Sequence, residues 1–100
     1  MLHCIEYVKN HFDEKVTLDE IARRSAMSKT CFCAIFKSIT GKTFNQFLNV
    51  CRIQKAAQMI RSGEKITTTS TLCGYEYFST FYRNFKEIMG IPPSEYQRTE

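Results

Sequence analysis

The sequence predicts an all-α fold of about seven helices, arranged as two similar lobes joined by a long central helix. Apolar residues recur at helical spacing along nearly the whole chain. Serine and threonine stand where helices should begin, and glycine stands where they should end. The second half of the chain repeats the pattern of the first half, which indicates two copies of one structural unit within a single domain over residues 1–100.

The first lobe is expected to span residues 1–41 and to contain three helices. A predicted capping box, with Thr17 as N-cap and Glu20 at the third helical position, opens the short second helix. Ser28 is the expected N-cap of the third helix, which Gly41 should end in a left-handed conformation. The first helix is predicted to pack inward through Leu2, Ile5, Val8 and Phe12. The third is predicted to do so through Phe32, Ile35, Phe36 and Ile39.

The central helix is expected to span residues 43–62 and to begin at a second capping box, formed by Thr43 and Gln46. At about 18 residues and 1.5 Å per residue, such a helix is roughly 27 Å long. The second lobe is expected to span residues 64–100.

A repeated motif, F-x-x-x-F-K-x-x-x-G, supports this division, because it begins at Phe32 and again at Phe81, 49 residues later. Upstream of the motif the best offset is 48 residues. The threonines of residues 66–72 favour a strand by propensity alone, but the repeat predicts a helix there, less stable than its counterpart. The sixth helix is expected to face inward through Phe81, Phe85 and Ile88, and Pro93 should start a short last helix.

Each lobe therefore pairs a short helix with a longer one across a tight turn, which is a helix-turn-helix pattern. In such units the second helix enters the major groove of duplex DNA. The predicted base contacts are Lys29, Thr30, Cys33 and Ala34 on the third helix, and Phe78, Ser79, Tyr82 and Arg83 on the sixth. The predicted phosphate contacts are Thr17, Ser28, Lys37, Thr43 and Lys86. The alternative is that these residues only form solvated helix faces.

The two predicted reading faces differ in chemistry. Arg83 can bind guanine through two hydrogen bonds, whereas Cys33 and Ala34 offer almost no hydrogen bonding. We therefore expect the second unit to do more of the base reading and the first mainly to position the protein.

Composition narrows the other possibilities. The formal net charge of +4 permits a nucleic-acid partner without requiring one, and no apolar run is long enough to span a membrane. A cytoplasmic protein is expected, since no signal peptide is recognisable and the five cysteines include no C-x-x-C pair. We read these cysteines as small, mostly buried apolar residues and expect no metal or cofactor. His3 and His11 lie apart from any carboxylate and nucleophile arrangement, and no phosphate-cradling glycine loop is present, so an enzyme is not expected.

Two questions stay open at this level. Arg52 interrupts an apolar stretch of the central helix, and it is either a structural ion pair between the lobes, which we favour, or a phosphate contact. The exposed aromatic residues Tyr77, Phe78 and Tyr82 also allow a helical protein-interaction module within a larger regulator.

Over nearly its whole length the sequence resembles the DNA-binding domain of the AraC/XylS family of bacterial regulators. The resemblance rests on Leu18-x-x-Ile21-Ala22-x-x-x-Ala26-Met27-Ser28, Phe32-x-x-x-Phe36-Lys37-x-x-x-Gly41, Phe47-Leu48-x-x-x-Arg52-Ile53-x-x-Ala56, Gly74-Tyr75, Phe81-x-x-x-Phe85-Lys86 and Gly90-x-Pro92-x-Glu95-Tyr96. It implies seven helices, with the two recognition helices in successive major-groove segments on one face of the DNA.

Transcriptional regulation is the implied function, with activation through RNA polymerase. The domain alone is expected to bind DNA as a monomer, whereas a full-length regulator would be able to dimerise. Most members join this domain to a sensor or receiver domain, so the resemblance implies a C-terminal fragment, although small stand-alone members exist. The sequence departs from the family at Thr69 and Ser70, which replace the usual Ile-Ala, and at Cys33 and Ala34, which replace longer polar residues.

Overall fold

The protein is described by a computed structural model of residues 2–14 and 16–98. Its helices are α1 (Leu2–His11), α2 (Leu18–Arg24), α3 (Lys29–Thr40), α4 (Phe44–Arg61), α5 (Ile66–Leu72), α6 (Phe78–Met89) and α7 (Pro93–Arg98). The described residues contain these seven helices and no strand, which confirms the predicted all-α fold. The predicted inward side chain of Leu2 lies outside the described part of the chain, as does that of His3.

Hydroxyl groups cap α2, α3 and α4. Thr17, Ser28 and Thr43 each accept a hydrogen bond at 3.2 Å from the backbone N–H three residues further on. The predicted capping box at Thr43 is complete, because the Gln46 side chain also accepts from the Thr43 N–H at 2.9 Å. Each of these contacts satisfies a backbone donor that the helix itself leaves free.

The capping box predicted at Thr17 is wrong in its second half. The Glu20 carboxylate accepts from the hydroxyl of Tyr7 at 3.4 Å and lies 3.6 Å from Nε of Arg24. Tyr7 belongs to α1. The packing of α1 beside α2 thus supplies partners that the local sequence does not show.

The apolar side chains form two clusters, and α4 contributes to both. The first cluster is built on Cys4, Val8, Ile21, Ala22, Phe32, Phe36, Phe44 and Leu48. The second is built on Ile53, Ala56, Ala57, Ile60, Cys73, Tyr75, Phe81 and Phe85. Within the first cluster the ring of Phe36 lies 5.5 Å from that of Phe32 and 5.9 Å from that of Phe44, so aromatic contacts fix α3 on α4.

Two residues predicted to face inward are exposed. Ile39 is 57% exposed and Ile88 is 37% exposed, whereas the phenylalanines one and two turns earlier on the same helices are buried. Both isoleucines lie in the last turn of a 12-residue helix, beyond the buried phenylalanines, and on α6 it is Met89 that packs against the second cluster. Helical periodicity assigns a broad face but does not show which residues at the edge of that face the neighbouring helix covers.

Helix α5 forms despite its threonines, as the repeat predicts. Thr69 is fully buried, and its hydroxyl donates to the carbonyl of Lys65 at 2.8 Å, which satisfies the polar group inside the core. Lys65 is the N-cap of α5 and supplies no side-chain hydrogen bond. The expectation that α5 is less stable than α2 stays a prediction.

Candidate nucleic-acid interface

The turn between the two helices of each unit has the same backbone geometry. Ala26 in the first turn and Gly74 in the second, 48 residues apart, both have positive φ values, of 56° and 95°. The next residue in each case donates its N–H to a carbonyl five residues earlier, at 3.0 Å in the first unit and 3.1 Å in the second. A left-handed residue followed by this hydrogen bond ends a helix and redirects the chain. The sequence repeat is therefore also a repeat of structure.

The longer helices that follow the two turns are also equivalent. Both α3 and α6 contain 12 residues and end at a left-handed glycine, Gly41 with φ 75° and Gly90 with φ 85°. Each glycine donates its N–H at 2.8 Å to the carbonyl of the lysine four residues earlier. Their starts differ, since Ser28 caps α3 with its hydroxyl and Tyr77 provides no side-chain cap for α6.

Every residue predicted to contact bases is exposed. On α3 the buried Phe32 and Phe36 turn the opposite face outward, and on α6 Phe81 and Phe85 do the same. The outward residues are Lys29, Thr30, Cys33 and Ala34 on α3 and Phe78, Ser79, Tyr82 and Arg83 on α6. The structure brings each set together on one helix face, as expected, and their role in DNA contact stays a prediction.

Lys29 has an ion-pair partner that the sequence did not indicate. Its Nζ lies 3.0 Å from Oδ1 of Asp19 on α2, and both side chains are more than half exposed. An exposed pair of this kind contributes at most about 1 kcal/mol, so Lys29 can leave Asp19 for a DNA acceptor at small cost.

On α6 the aromatic side chains support one another. The ring of Phe78 lies 5.8 Å from the buried ring of Phe81 and 6.4 Å from that of Tyr82. Phe78 is 43% exposed and Tyr82 is 39% exposed, so each has a buried inner part and an accessible outer part. Arg83, on the same helix, pairs with no carboxylate in the described part of the chain.

The residues predicted to contact phosphate are also exposed: Thr17, Ser28, Lys37, Thr43 and Lys86. The three capping hydroxyls accept a backbone N–H through oxygen, which leaves the hydroxyl hydrogen of each free to donate outward. Lys37 and Lys86 occupy the same place in the repeat, near the ends of α3 and α6. The five therefore have the exposure and the donors that a phosphate contact needs.

A cleft of about 780 Å³ lies between the lobes, and its lining includes residues that sequence reasoning missed. Asn49 of α4 and Thr80 and Asn84 of α6 line it together with Arg83 and Arg52. Thr80 and Asn84 lie one turn apart on α6, on either side of the buried Phe81 in the sequence. Helical periodicity places them at the edge of the buried face, so it could have indicated them. No sequence signal places Asn49 there.

Arg52 is structural, as favoured, but its predicted ion pair is wrong. Its guanidinium donates from Nε to the carbonyl of Phe12 at 2.7 Å and from Nη2 to the carbonyl of Glu14 at 3.3 Å. These acceptors are backbone carbonyls in the segment after α1, 38 and 40 residues away in the sequence, and not carboxylates.

The cysteines divide into two kinds. Cys4 and Cys73 are buried and Cys51 is half-buried, whereas Cys31 and Cys33 are exposed on α3. Burial raises the pKa of Cys73 to about 11 and also raises the pKa of Cys51, so neither thiol ionises readily near neutral pH. The expectation of mostly buried cysteines is wrong for Cys31, which lies at the first turn of α3 where no core residue covers it.

The described residues contain no cluster of three His, Cys, Asp or Glu side chains that could hold a metal ion. In residues 2–14 and 16–98, none of the helices is both long and apolar enough to cross a membrane.

Comparison with known proteins identifies the family. The family model of a helix-turn-helix domain matches residues 21–99. The TetD protein of transposon Tn10 in Escherichia coli is 30% identical over 96 residues, which cover 94% of this chain and 69% of that protein. The chain belongs to the AraC family of transcription regulators.

Proteins similar to this chain include longer proteins and domains of similar size. The probable transcriptional regulator LumQ of Photobacterium leiognathi is 29% identical over 92 residues, which cover 91% of this chain and 37% of LumQ. A crystal structure described as a DNA-binding transcriptional dual regulator from Escherichia coli K-12 superposes with a TM-score of 0.86 at 28% identity, covering 99% of this chain and 95% of that one. This AraC-type domain is therefore a DNA-binding domain of transcription regulation, and its family is not one of enzymes.

Proposed function

We propose that this chain binds specific sequences in duplex DNA by placing α3 and α6 in two successive major-groove segments on one face of the duplex. The observation that carries the proposal is the repeated turn and helix, with an exposed face at the same place in both copies. The central helix has 18 residues, which corresponds to roughly 27 Å. This length suits two units about one DNA turn, ~34 Å, apart. The two lobes then act as one DNA-binding domain over residues 1–100.

Base reading by α6 rests mainly on Arg83. Its guanidinium matches the two major-groove acceptors of guanine, an interaction that discriminates against other bases by about 1–3 kcal/mol. Ser79 and Tyr82 add hydroxyl groups on the same face, and Phe78 adds apolar area for a thymine methyl group.

Base reading by α3 has fewer polar groups available. Thr30 offers a hydroxyl and Lys29 an ammonium group, whereas Cys33 and Ala34 allow close apolar approach. The first unit therefore contributes less to sequence discrimination and more to positioning, together with the phosphate contacts at Thr17, Ser28, Lys37, Thr43 and Lys86.

This domain is proposed to activate transcription through contact with RNA polymerase in the cytoplasm. The chain spans 37% of LumQ but 69% of TetD, so its relatives include proteins with much additional sequence and proteins with little. We propose that this domain binds DNA as a monomer, because the tandem units already provide two reading helices. A longer regulator that contained this domain would be able to dimerise through additional segments.

The test measures binding to duplex DNA over a range of salt concentrations. The affinity should fall as salt rises, and Lys37→Met and Lys86→Met should each reduce the slope of log K against log salt by about 1. Lys55→Met is the matched control, since Lys55 is an exposed lysine on α4 outside both recognition helices, and its slope should not change. Salt-independent binding, or no retention of any duplex, would refute the proposal.

A second candidate function has one observation in its favour. Tyr77 is 64% exposed and directly precedes α6, whose Phe78 and Tyr82 are also exposed, and exposed aromatic residues of this kind often anchor protein interfaces. This interaction module would be preferred if Arg83→Ala left DNA binding unchanged while Tyr77→Ala removed binding to a purified RNA polymerase.

A further inference from the structure

Arg52 joins α4 to the first lobe through two hydrogen bonds. Its guanidinium donates to the carbonyls of Phe12 and Glu14 at 2.7 and 3.3 Å, and these residues follow α1. Partial burial lowers the pKa of the guanidinium, but arginine remains charged at any pH at which the protein functions. The fork of Arg52 therefore fixes the backbone after α1 against the middle of α4.

The turn of the second unit packs on the same backbone segment. Gly74 has φ +95°, and a Cβ atom at this position would lie 3.0 Å from the carbonyl oxygen of Asp13 and 3.1 Å from that of Phe12. The main chains of the two lobes are thus in direct contact, with no room for a side chain between them. In the first turn the equivalent residue is Ala26, which is exposed. The contact is therefore a property of the second turn and not of the repeat.

Tyr75 extends this contact to the second recognition helix. It is 6% exposed, its hydroxyl donates to Oδ1 of Asn49 on α4 at 2.9 Å, and its ring lies 5.4 Å from the Arg52 guanidinium carbon. The same ring lies 5.5 Å from that of Phe81, a buried residue of α6. Arg52, Tyr75 and Phe81 therefore form a continuous packed path from the first lobe to α6.

We infer that Arg52 is a positioning residue that fixes the separation and rotation of α3 relative to α6, and thereby sets the spacing of DNA half-sites that the protein accepts. The effect on DNA rests on the proposed function. Inserting one base pair between half-sites moves one of them by about 3.4 Å and rotates it by about 35°. If the contact between the two lobes is rigid, α3 and α6 do not move to match the altered spacing. If that contact is loosened, they do.

The first test does not involve DNA. Spin labels are attached at Lys37→Cys and Lys86→Cys, which are equivalent positions of α3 and α6, in a chain where the exposed Cys31 and Cys33 are serine. Electron–electron double resonance should give one narrow distance distribution. Arg52→Met and Arg52→Lys should both broaden this distribution. Methionine has no donor, and the single ammonium group of lysine does not reproduce the two fixed donors of the guanidinium. Lys55→Met should leave the distribution narrow. An unchanged distribution in both Arg52 variants would overturn the inference even if the protein bound no DNA.

The second test compares a DNA site of natural spacing with sites that carry one base pair more or less, using variants whose helical content is intact by circular dichroism. The parent chain should lose at least about tenfold in affinity on the altered sites, the loss expected when one unit is misplaced. Both Arg52 variants should lose less than about threefold and should keep the parent salt slope.

Two results of this second test would contradict the inference. A reduced salt slope in Arg52→Met that Arg52→Lys restores, with the spacing penalty unchanged, would make Arg52 a phosphate contact. A uniform loss on all three sites would make it a residue of general stability.

Discussion

Replacing Lys65 by threonine transfers to α5 the cap that α2 already has. Lys65 is the N-cap of α5, it has φ −65° and ψ 141°, and its side chain makes no capping hydrogen bond. Thr43, which caps α4 with its hydroxyl, has φ −69° and ψ 163°. The backbone at Lys65 is therefore already in the conformation that a capping residue needs. Threonine there should accept the N–H of Thr68 without rearrangement of the chain.

The expected gain has two parts. A new N-cap hydrogen bond contributes about 1 kcal/mol to the free energy of unfolding. Removing a positive charge from the N-terminal end of a helix contributes about 0.3–1 kcal/mol more, the range typical of exposed sites. The sum, about 1–2 kcal/mol, corresponds to a rise in the melting temperature of roughly 4–16 °C for a domain of this size.

Thermal and urea unfolding, followed by far-ultraviolet circular dichroism, measure this gain. Lys65→Ala is the matched control because it removes the charge without adding a cap, and it should be less stabilising than Lys65→Thr. The reverse exchange at the equivalent position, Thr17→Lys, should destabilise the protein by a similar amount. If Lys65→Thr were no more stable than Lys65→Ala, the threonine hydroxyl would not cap α5.

Four further predictions concern DNA binding and stability. Arg83→Ala should weaken specific binding by about 1–3 kcal/mol and relax the preference at one base position, as measured on a set of singly substituted sites. Cys33→Ala should change the same affinities by less than about 0.5 kcal/mol, since the thiol adds little hydrogen bonding. Gly41→Ala and Gly90→Ala should each lower the free energy of unfolding by about 1–2 kcal/mol, the cost of a left-handed alanine. Burial raises the pKa of Tyr75 to about 12 from an ordinary value of about 10, so the folded state retains this proton more strongly than the unfolded state. The contribution of Tyr75 to the free energy of unfolding should accordingly be fully present below about pH 10 and be lost as the pH rises towards 12. Tyr75→Phe should therefore make the loss of stability in this range shallower.

Each of these predictions has a result that contradicts it. A uniform loss on all sites in Arg83→Ala would indicate a phosphate contact, and a large specific loss in Cys33→Ala would mean that the reading face of α3 is misassigned. Unaltered stability in the glycine variants would show that the left-handed ends tolerate a side chain. Cys73, whose pKa burial raises to about 11, titrates in part of the same range. The pH profiles are therefore compared in a Cys73→Ala background, and identical profiles with and without the Tyr75 hydroxyl would refute the assignment.

Much of the fold was predictable because its signals are local. The cap of α4 at Thr43 depends on residues three apart, and the glycine ends of α3 and α6 depend on one residue each. The internal repeat carried the prediction where local propensity failed, since the threonines of α5 alone favour a strand. The exposed faces of α3 and α6 followed in the same way, because burial of Phe32 and Phe36 fixes which residues of α3 point outward.

The errors concern contacts between segments that are distant in the sequence. Glu20 accepts a hydrogen bond from Tyr7 of α1 instead of completing a capping box. Arg52 donates to backbone carbonyls, which no pattern of charged residues predicts. Ile39 and Ile88 are exposed although their spacing from the buried phenylalanines is helical, and on α6 the core contact belongs to Met89, one residue further on. Local spacing does not contain this information, because it depends on which residues at the edge of a buried face the neighbouring helix covers.

The proposed function requires that two tandem units read DNA together and that α6 carries more of the sequence information than α3. Selection of bound duplexes from a random pool, followed by sequencing, measures both properties at once. We expect two half-sites about one turn apart, with stronger base preferences in the half-site whose preference weakens when Arg83→Ala is used for the selection. A single enriched half-site, or two half-sites of equal information that Arg83→Ala leaves unchanged, would contradict it.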